Sequence, residues 1–294
     1  MAEIIQKDGT WAFDGDALRL NPGRDKGVGP LRRELGELVV PLAVLAGVSF
    51  EQGRRAGRLR LRLREGADPL LHATGGRLAE PHDPYRLAVE SDRYGVAEYF
   101  VDEVRNALLL EGVSPEPVAR YLLPGPSVPL SASAGDGTAG FDGERVRLEW
   151  NWKTEDAKAA AGPRTIPLGD ITGVEWQPAA GLENGYLRFA VRGAPAAPPP
   201  AKYDPHAVEL WGFRKDPLMA LVAAAVRARL PHPAAPAAGT DLRREPPGPV
   251  VAPAAAADHD ALLRRLRELG GLRRSGVLTE EEFTLAKQAV LRRM

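Results

Sequence analysis

The sequence predicts an α+β fold, mainly β, in which one sheet-and-helix domain is written twice and followed by a two-helix hairpin. Three observations carry this. A block of eight residues near the N-terminus recurs 128 residues later, both halves contain apolar side chains at period two, and the last segment of each half changes to a helical period. The 294 residues suit about two domains with one core each.

Phe13-Asp14-Gly15-Asp16-Ala17-Leu18-Arg19-Leu20 returns as Phe141-Asp142-Gly143-Glu144-Arg145-Val146-Arg147-Leu148, with five of eight positions identical. Pro41-Leu42 and Gly47-Val48-Ser49-Phe50 return as Pro167-Leu168 and Gly173-Val174-Glu175-Trp176. Gly57 to Arg64 matches Gly185 to Arg192, and Asp83-Pro84 matches Asp204-Pro205. The offsets are 128, 126, 128 and 121, in one order. Within each copy the Asp-Gly dipeptides predict turns between strands. Leu59–Leu61–Leu63 and Leu187–Phe189–Val191 predict half-buried strands, as does Val146–Leu148–Trp150–Trp152. Helices are predicted where Val96, Tyr99, Phe100, Val104 and Leu108 share a face, and where Leu218, Leu221, Val222, Ala225 and Val226 do. A sheet rolled over that helix buries the apolar faces of both.

These readings divide the chain into a first repeat (1–112), a linker (113–137), a second repeat (138–230), a Pro/Ala-rich linker (231–257) and a short C-terminal hairpin (258–294). Val118, Tyr121, Leu122 and Leu123 are expected to pack back on a domain, so only the second half of the Glu111–Ala139 connection, which includes Ser131–Gly137, is read as flexible. The second linker has little to bury and predicts an extended spacer; a proline-rich ligand for a partner is the alternative.

The paired Phe-Asp-Gly starts, the Pro-Leu and Gly-Val blocks and the Gly-x-Leu-Arg strands resemble an uncharacterised, mainly actinobacterial family of tandem pleckstrin-homology-like domains. The resemblance covers roughly 1–112 and 138–232. It implies a bent antiparallel sheet or partly open barrel closed by a C-terminal helix, and it assigns no activity and no functional residue.

In the tail, Leu262, Leu263, Leu266 and Leu269 give one helical stripe ending near Ser275-Gly276. Thr279 and Glu282 form a capping box for a second helix, with Leu278 and Phe283 placed as a hydrophobic staple. Ala286, Val290 and Leu291 continue that face. Leu269, Leu272, Gly276, Leu278, Thr279, Glu282, Phe283, Lys287 and Leu291 also resemble the bacterial short C-terminal domain. Gly270-Gly271 departs from that pattern and costs roughly 1 kcal/mol per glycine in a helix interior. A hairpin below about 40 residues buries too little to stand alone. Its stripe (Leu262, Leu266, Leu269, Leu278, Phe283, Val290 and Leu291) therefore needs a second copy, its own domains or another protein. The family resemblance implies oligomerisation.

Lys plus Arg and Asp plus Glu both number 39, which gives no global field toward nucleic acid. Without cysteine, disulfides, thiolate nucleophiles and cysteine metal sites are excluded. The longest apolar run, Leu38 to Phe50, is broken by Pro41 and falls short of the roughly 20 residues of a membrane span. No signal peptide is expected, and a cytoplasmic home is. His72, His82, His206, His232 and His259 show no metal-ligand spacing; His82 and His206 read as exposed turn residues. The five tryptophans read as core or sheet packing. No phosphate loop, nucleophile elbow or dinucleotide fingerprint occurs, so no catalytic, cofactor or metal residue is assigned.

The one local anomaly is a ladder, Arg58, Arg60, Arg62 and Arg64, which period two places on one strand face. Guanidiniums so arranged bind phosphate or carboxylate in forked fashion. The alternative is a solvated face paired with Glu51, Glu65, Asp68 or cross-strand acids. The expected function is a non-enzymatic adaptor whose tandem domains bind a protein or peptide while the tail multimerises it. An anionic membrane surface held by the Arg ladder is the alternative.

Overall fold

The computed structural model describes residues 1–195 and 197–235. The expected hairpin, with Leu262, Leu266, Leu269, Leu278, Phe283, Val290 and Leu291, and nearly all of the second linker lie outside the described residues. The first copy runs β1 (Ala2–Gln6), β2 (Gly9–Phe13), β3 (Ala17–Pro22), α1 (Pro30–Leu35), β4 (Leu38–Pro41), β5 (Leu45–Glu51), β6 (Gly57–Leu63), α2 (Pro69–Thr74), β7 (Arg86–Val89) and α3 (Tyr94–Leu110). The second runs β8 (Leu130–Ala134), β9 (Gly137–Phe141), β10 (Arg145–Trp150), α4 (Asp156–Ala160), β11 (Arg164–Pro167), β12 (Ile171–Gln177), β13 (Gly185–Val191), β14 (Ala207–Leu210) and α5 (Met219–Arg227).

Each copy is a four-stranded and a three-stranded antiparallel sheet, β1-β2-β3-β4 with β5-β6-β7 and β8-β9-β10-β11 with β12-β13-β14. The duplication holds to the residue. Phe13 faces Leu18 as Phe141 faces Val146, and register shifts fall between Leu45 and Gly47 and between Ile171 and Gly173. Asp14 Oδ1 accepts from the Asp16 and Ala17 amides, and Asp142 Oδ1 from the Glu144 and Arg145 amides. Gly15 and Gly143, at φ 113° and 109°, supply the turn conformation that a Cβ disfavours.

Strand β8 occupies Leu130–Ala134, inside the stretch expected as a flexible linker. It is the counterpart of β1. Upstream, the connection packs back as its apolar residues suggest, with the Val118 amide donating to Glu65 O and the Leu122 and Leu123 amides to Ala67 O.

A second duplicated device lies under the turn between the first two strands. Arg32 of α1, 4% exposed, donates to Asp8 Oδ2 at 3.2 Å and to the Asp8 carbonyl at 3.0 Å. Lys158 of α4 donates to Asp136 Oδ2 at 2.6 Å and to the Ala201 carbonyl at 3.1 Å. Both carboxylates also accept a backbone amide of the last strand, from Ala88 and from Glu209. Burial pushes the Asp136 carboxyl up and the Lys158 ammonium down, against the mutual attraction of the pair.

The two copies form one compact unit with two apolar clusters; the first, around Trp11, Leu59, Leu61 and Phe100, lies wholly within the first copy and the connection after it. Leu31, Leu70, Ala73 and Leu78 of the first copy join Phe141, Trp176, Phe189 and the whole of α5 in a single apolar cluster. Asp68 caps α2, accepting from the Leu70 and Leu71 amides and from Tyr85 Oη, and α2 packs on α5. Every residue from Met219 to Val226 is therefore buried, where one apolar face was expected. In α3 the buried face is Ala97, Phe100, Val101 and Val104, and Tyr99 points outward. Among the described residues no helix is long and apolar enough to cross a membrane.

Candidate anion-binding site

The outer face of the β5-β6-β7 sheet is set by strict alternation. Leu59, Leu61 and Leu63 are buried, so Arg58, Arg60 and Arg62 emerge on the opposite face. Their cross-strand partners in β5 are small or acidic: Glu51 faces Arg58, Ser49 faces Arg60 and Gly47 faces Arg62. On the other side Arg86 of β7 stands directly opposite Arg60. Like charges in that relation repel, and nothing in the strand pairing relieves it.

The ladder then divides. Arg62 donates to the Ala46 carbonyl, and Arg64 donates to the carbonyls of Glu116 at 2.8 Å and Ala43 at 3.1 Å, which ties the inter-copy connection down. Arg58 and Arg86 share Glu80 Oε1, at 3.4 and 3.1 Å, and Arg86 Nε also lies 2.9 Å from Asp83. Arg60 makes no ion pair or hydrogen bond among the described residues. Of the acids expected to neutralise the ladder, Asp68 is instead the buried cap of α2; the pairing is done by Glu80, which was not among them.

Arg58, Arg60, Arg86 and Glu80 line a cavity of about 720 Å³, open to solvent, together with Arg54 and Arg55. The hairpin turn that carries them is pinned, since Tyr94 Oη donates to the Gly53 carbonyl at 2.8 Å and Gln52 to Glu98 at 2.9 Å. Gly57 closes that turn, because a Cβ there would come within 2.5 Å of the Phe50 ring. Guanidinium donors thus converge from β6, β7 and the turn on one space that has fewer carboxylates than cations.

The second copy shows the same scaffold with its charge satisfied. Arg188, the counterpart of Arg60, donates to Asp204 Oδ2 at 2.9 Å and to the Pro199 carbonyl at 2.8 Å, and stacks on Tyr186. Asp204 is free to accept because Ala207, not arginine, stands opposite Arg188. In the first copy Arg86 takes the corresponding Asp83, and Arg60 has no ion pair among the described residues. Arg86 and Glu80 were not singled out from the sequence. Their signal is the cross-strand register, which spacing alone does not give.

The histidines and tryptophans differ from expectation in part. His82 is half-buried against Gly29, and burial, with Arg214 and Arg32 nearby, pulls its ring below the ordinary histidine value. His206 is half-buried, with Nδ1 3.7 Å from Asp204. Trp11 and Trp176 are core residues, whereas Trp152 lies past the end of β10 and is exposed. Among the described residues no three His, Asp or Glu side chains converge at metal-binding distance.

Comparison with curated proteins returns no match. A family match falls on both copies, over residues 11–105 and 139–227, starting in the first sheet and ending in the closing helix each time. With more than half of the chain covered, this protein belongs to the family described as Domain of unknown function (DUF4429).

Proposed function

We propose that the chain is a non-enzymatic binding module whose first copy holds a phosphate-type anion on the outer face of β5-β6-β7. The observation that carries this is Arg60 opposite Arg86, two cations in register at the mouth of a cavity, with one of them unpaired. A bound anion would accept from both and remove their repulsion; charge-assisted bonds of this kind contribute roughly 1.5–3 kcal/mol each. The four-plus-three strand arrangement closed by a helix supports a pleckstrin-homology-like reading of each copy, and a cytoplasmic setting accompanies it. Residues 258–294, through their resemblance to the short C-terminal domain, are proposed to self-associate, so that several copies of the site act together.

Calorimetric titration with inorganic tripolyphosphate, beside co-sedimentation with phosphatidylserine vesicles, separates a free phosphate from a lipid headgroup as the source. Arg60→Ala is expected to weaken binding by about tenfold or more, with a shallower salt dependence. Arg188→Ala, which breaks a structural pair, should leave affinity unchanged. Absence of binding to both probes at low salt, or equal loss in the two variants, overturns the reading.

A further inference from the structure

One end of the second copy carries large apolar side chains that cover nothing within the described chain. Trp152, just after β10, is 88% exposed; Phe213, after β14, is 59% exposed; Leu182, at the tip of the β12–β13 loop, is fully exposed. Trp211 meets Phe213 edge-on with ring centroids 6.0 Å apart. The Lys153 ammonium sits among them, 5.3 Å from the Trp152 ring, 5.2 Å from Trp211 and 5.8 Å from Phe213. These loops are anchored. Asn151 donates to the Gly135 carbonyl, Asn184 to Glu209, and Asp216 Oδ2 accepts the Gly212 and Phe213 amides.

The first copy is an internal control. At the offsets of 128 and 121 residues, Trp152 and Lys153 correspond to Arg24 and Asp25, and Trp211 and Phe213 to Glu90 and Asp92. The β5–β6 turn that corresponds to the Leu182 loop contains Arg54 and Arg55. The same scaffold therefore folds with charged loops at this end, and the aromatic set is not required by the fold.

We infer that this end is a membrane-interface anchor, with Trp152, Phe213 and Leu182 entering the headgroup boundary of a bilayer and Lys153 at the level of the lipid phosphates. The side chains come from three separate loops, after β10, between β12 and β13 and after β14, with the Lys153 ammonium over the Trp152, Trp211 and Phe213 rings. A fluid interface deforms around all of them. Indole and phenyl rings beside cations suit the headgroup layer. Lys153, Arg214 and Lys215 complement the phosphates, while Glu155, Asp156 and Glu183 in the same loops keep the local field near balance. Attachment is consequently driven by apolar transfer and resists salt. This inference does not depend on the anion site of the first copy.

The test is co-sedimentation of the full chain with phosphatidylcholine vesicles, with and without phosphatidylserine, at low and high salt. Brominated lipid acyl chains report tryptophan insertion by quenching. The wild-type chain is expected to bind both vesicles at either salt with quenching. Trp152→Ala/Phe213→Ala should lower partitioning by about tenfold or more while retaining circular dichroism and tripolyphosphate binding. Arg60→Glu should still bind phosphatidylcholine. A wild-type chain that stays in the supernatant with phosphatidylcholine, or a double variant that binds as well as wild type, overturns the anchor whatever the fate of the anion site.

Discussion

His72 Nδ1 lies 2.9 Å from Tyr121 Oη, and both rings meet His232 edge-on at the place where first copy, connection and second copy meet. His232 Nδ1 accepts the Ala234 amide and its Nε2 lies 3.1 Å from the Gly66 carbonyl. Burial, then Arg227 and His232, hold His72 below the ordinary value of 6.5. The folded chain thus refuses a proton that the unfolded chain takes up, so stability is full above about pH 6.5 and falls as pH drops below it. Thermal melts should be flat from about pH 8 to 7 and decline toward about pH 5, before carboxylates titrate. His72→Phe should reduce that acid slope; an unchanged slope would remove His72 as its source. At this scale the sequence was only partly legible. Asp8-Gly9-Thr10 and Asp136-Gly137-Thr138 stand 128 residues apart and mark the duplicated buried pair, yet Arg32 and Lys158, 126 residues apart, differ in type and sit in dissimilar helices. Arg60's lack of a partner follows from Arg86, which only strand register brings opposite it.

Among elements, α4 exists to deliver Lys158. It is one short helix whose buried residue is that lysine, set 4.5 Å from the Trp150 ring. Lys158→Ala strands Asp136 and should cost about 3–5 kcal/mol in urea denaturation. Asp136→Asn with Lys158→Met should recover much of this, since the amide oxygen still accepts from Glu209. If the double variant is no more stable than the single, the loss is one of packing rather than of uncompensated charge. Strands were legible wherever alternation was long: β6 and β13 emerge as their period-two pattern predicts. Strand β8 was not, because Leu130-Ser131-Ala132-Ser133-Ala134 has the composition of a flexible linker and becomes a strand only by pairing with β9. Helix α5 was read as one-faced because its second covering surface, α2, comes from 150 residues earlier in the chain, beyond any periodicity.

For the whole molecule, a second-copy core completed by Leu31, Leu70, Ala73 and Leu78 of the first means that the second copy is not an independent bead. Unfolding should be a single cooperative transition by circular dichroism and tryptophan fluorescence. A fragment of residues 130–235 lacks the α2 cover of α5 and should be aggregation-prone or unfolded; a stable monomeric fragment with native dichroism would count against the shared core. Deleting residues 258–294 should bring the mass in light-scattering chromatography down to that of the monomer; an unchanged mass defeats the proposed self-association. Duplication itself was legible because four blocks keep their order, while the fusion of the copies was not, being written in scattered leucines and alanines such as Leu31, Leu70 and Ala73.

The contrast between Arg86 and Ala207 has a practical outcome. One aspartate stands at the same place in each copy: in the first Arg86 takes it, and in the second, where position 207 is alanine, Arg188 does. Exchanging the two residues should therefore transplant the vacancy: Arg86→Ala lets Arg60 settle on Asp83 and silences the first copy, while Ala207→Arg evicts Arg188 and awakens the second. A chain with Ala207→Arg alone should then titrate two equivalents of tripolyphosphate where the parent takes one.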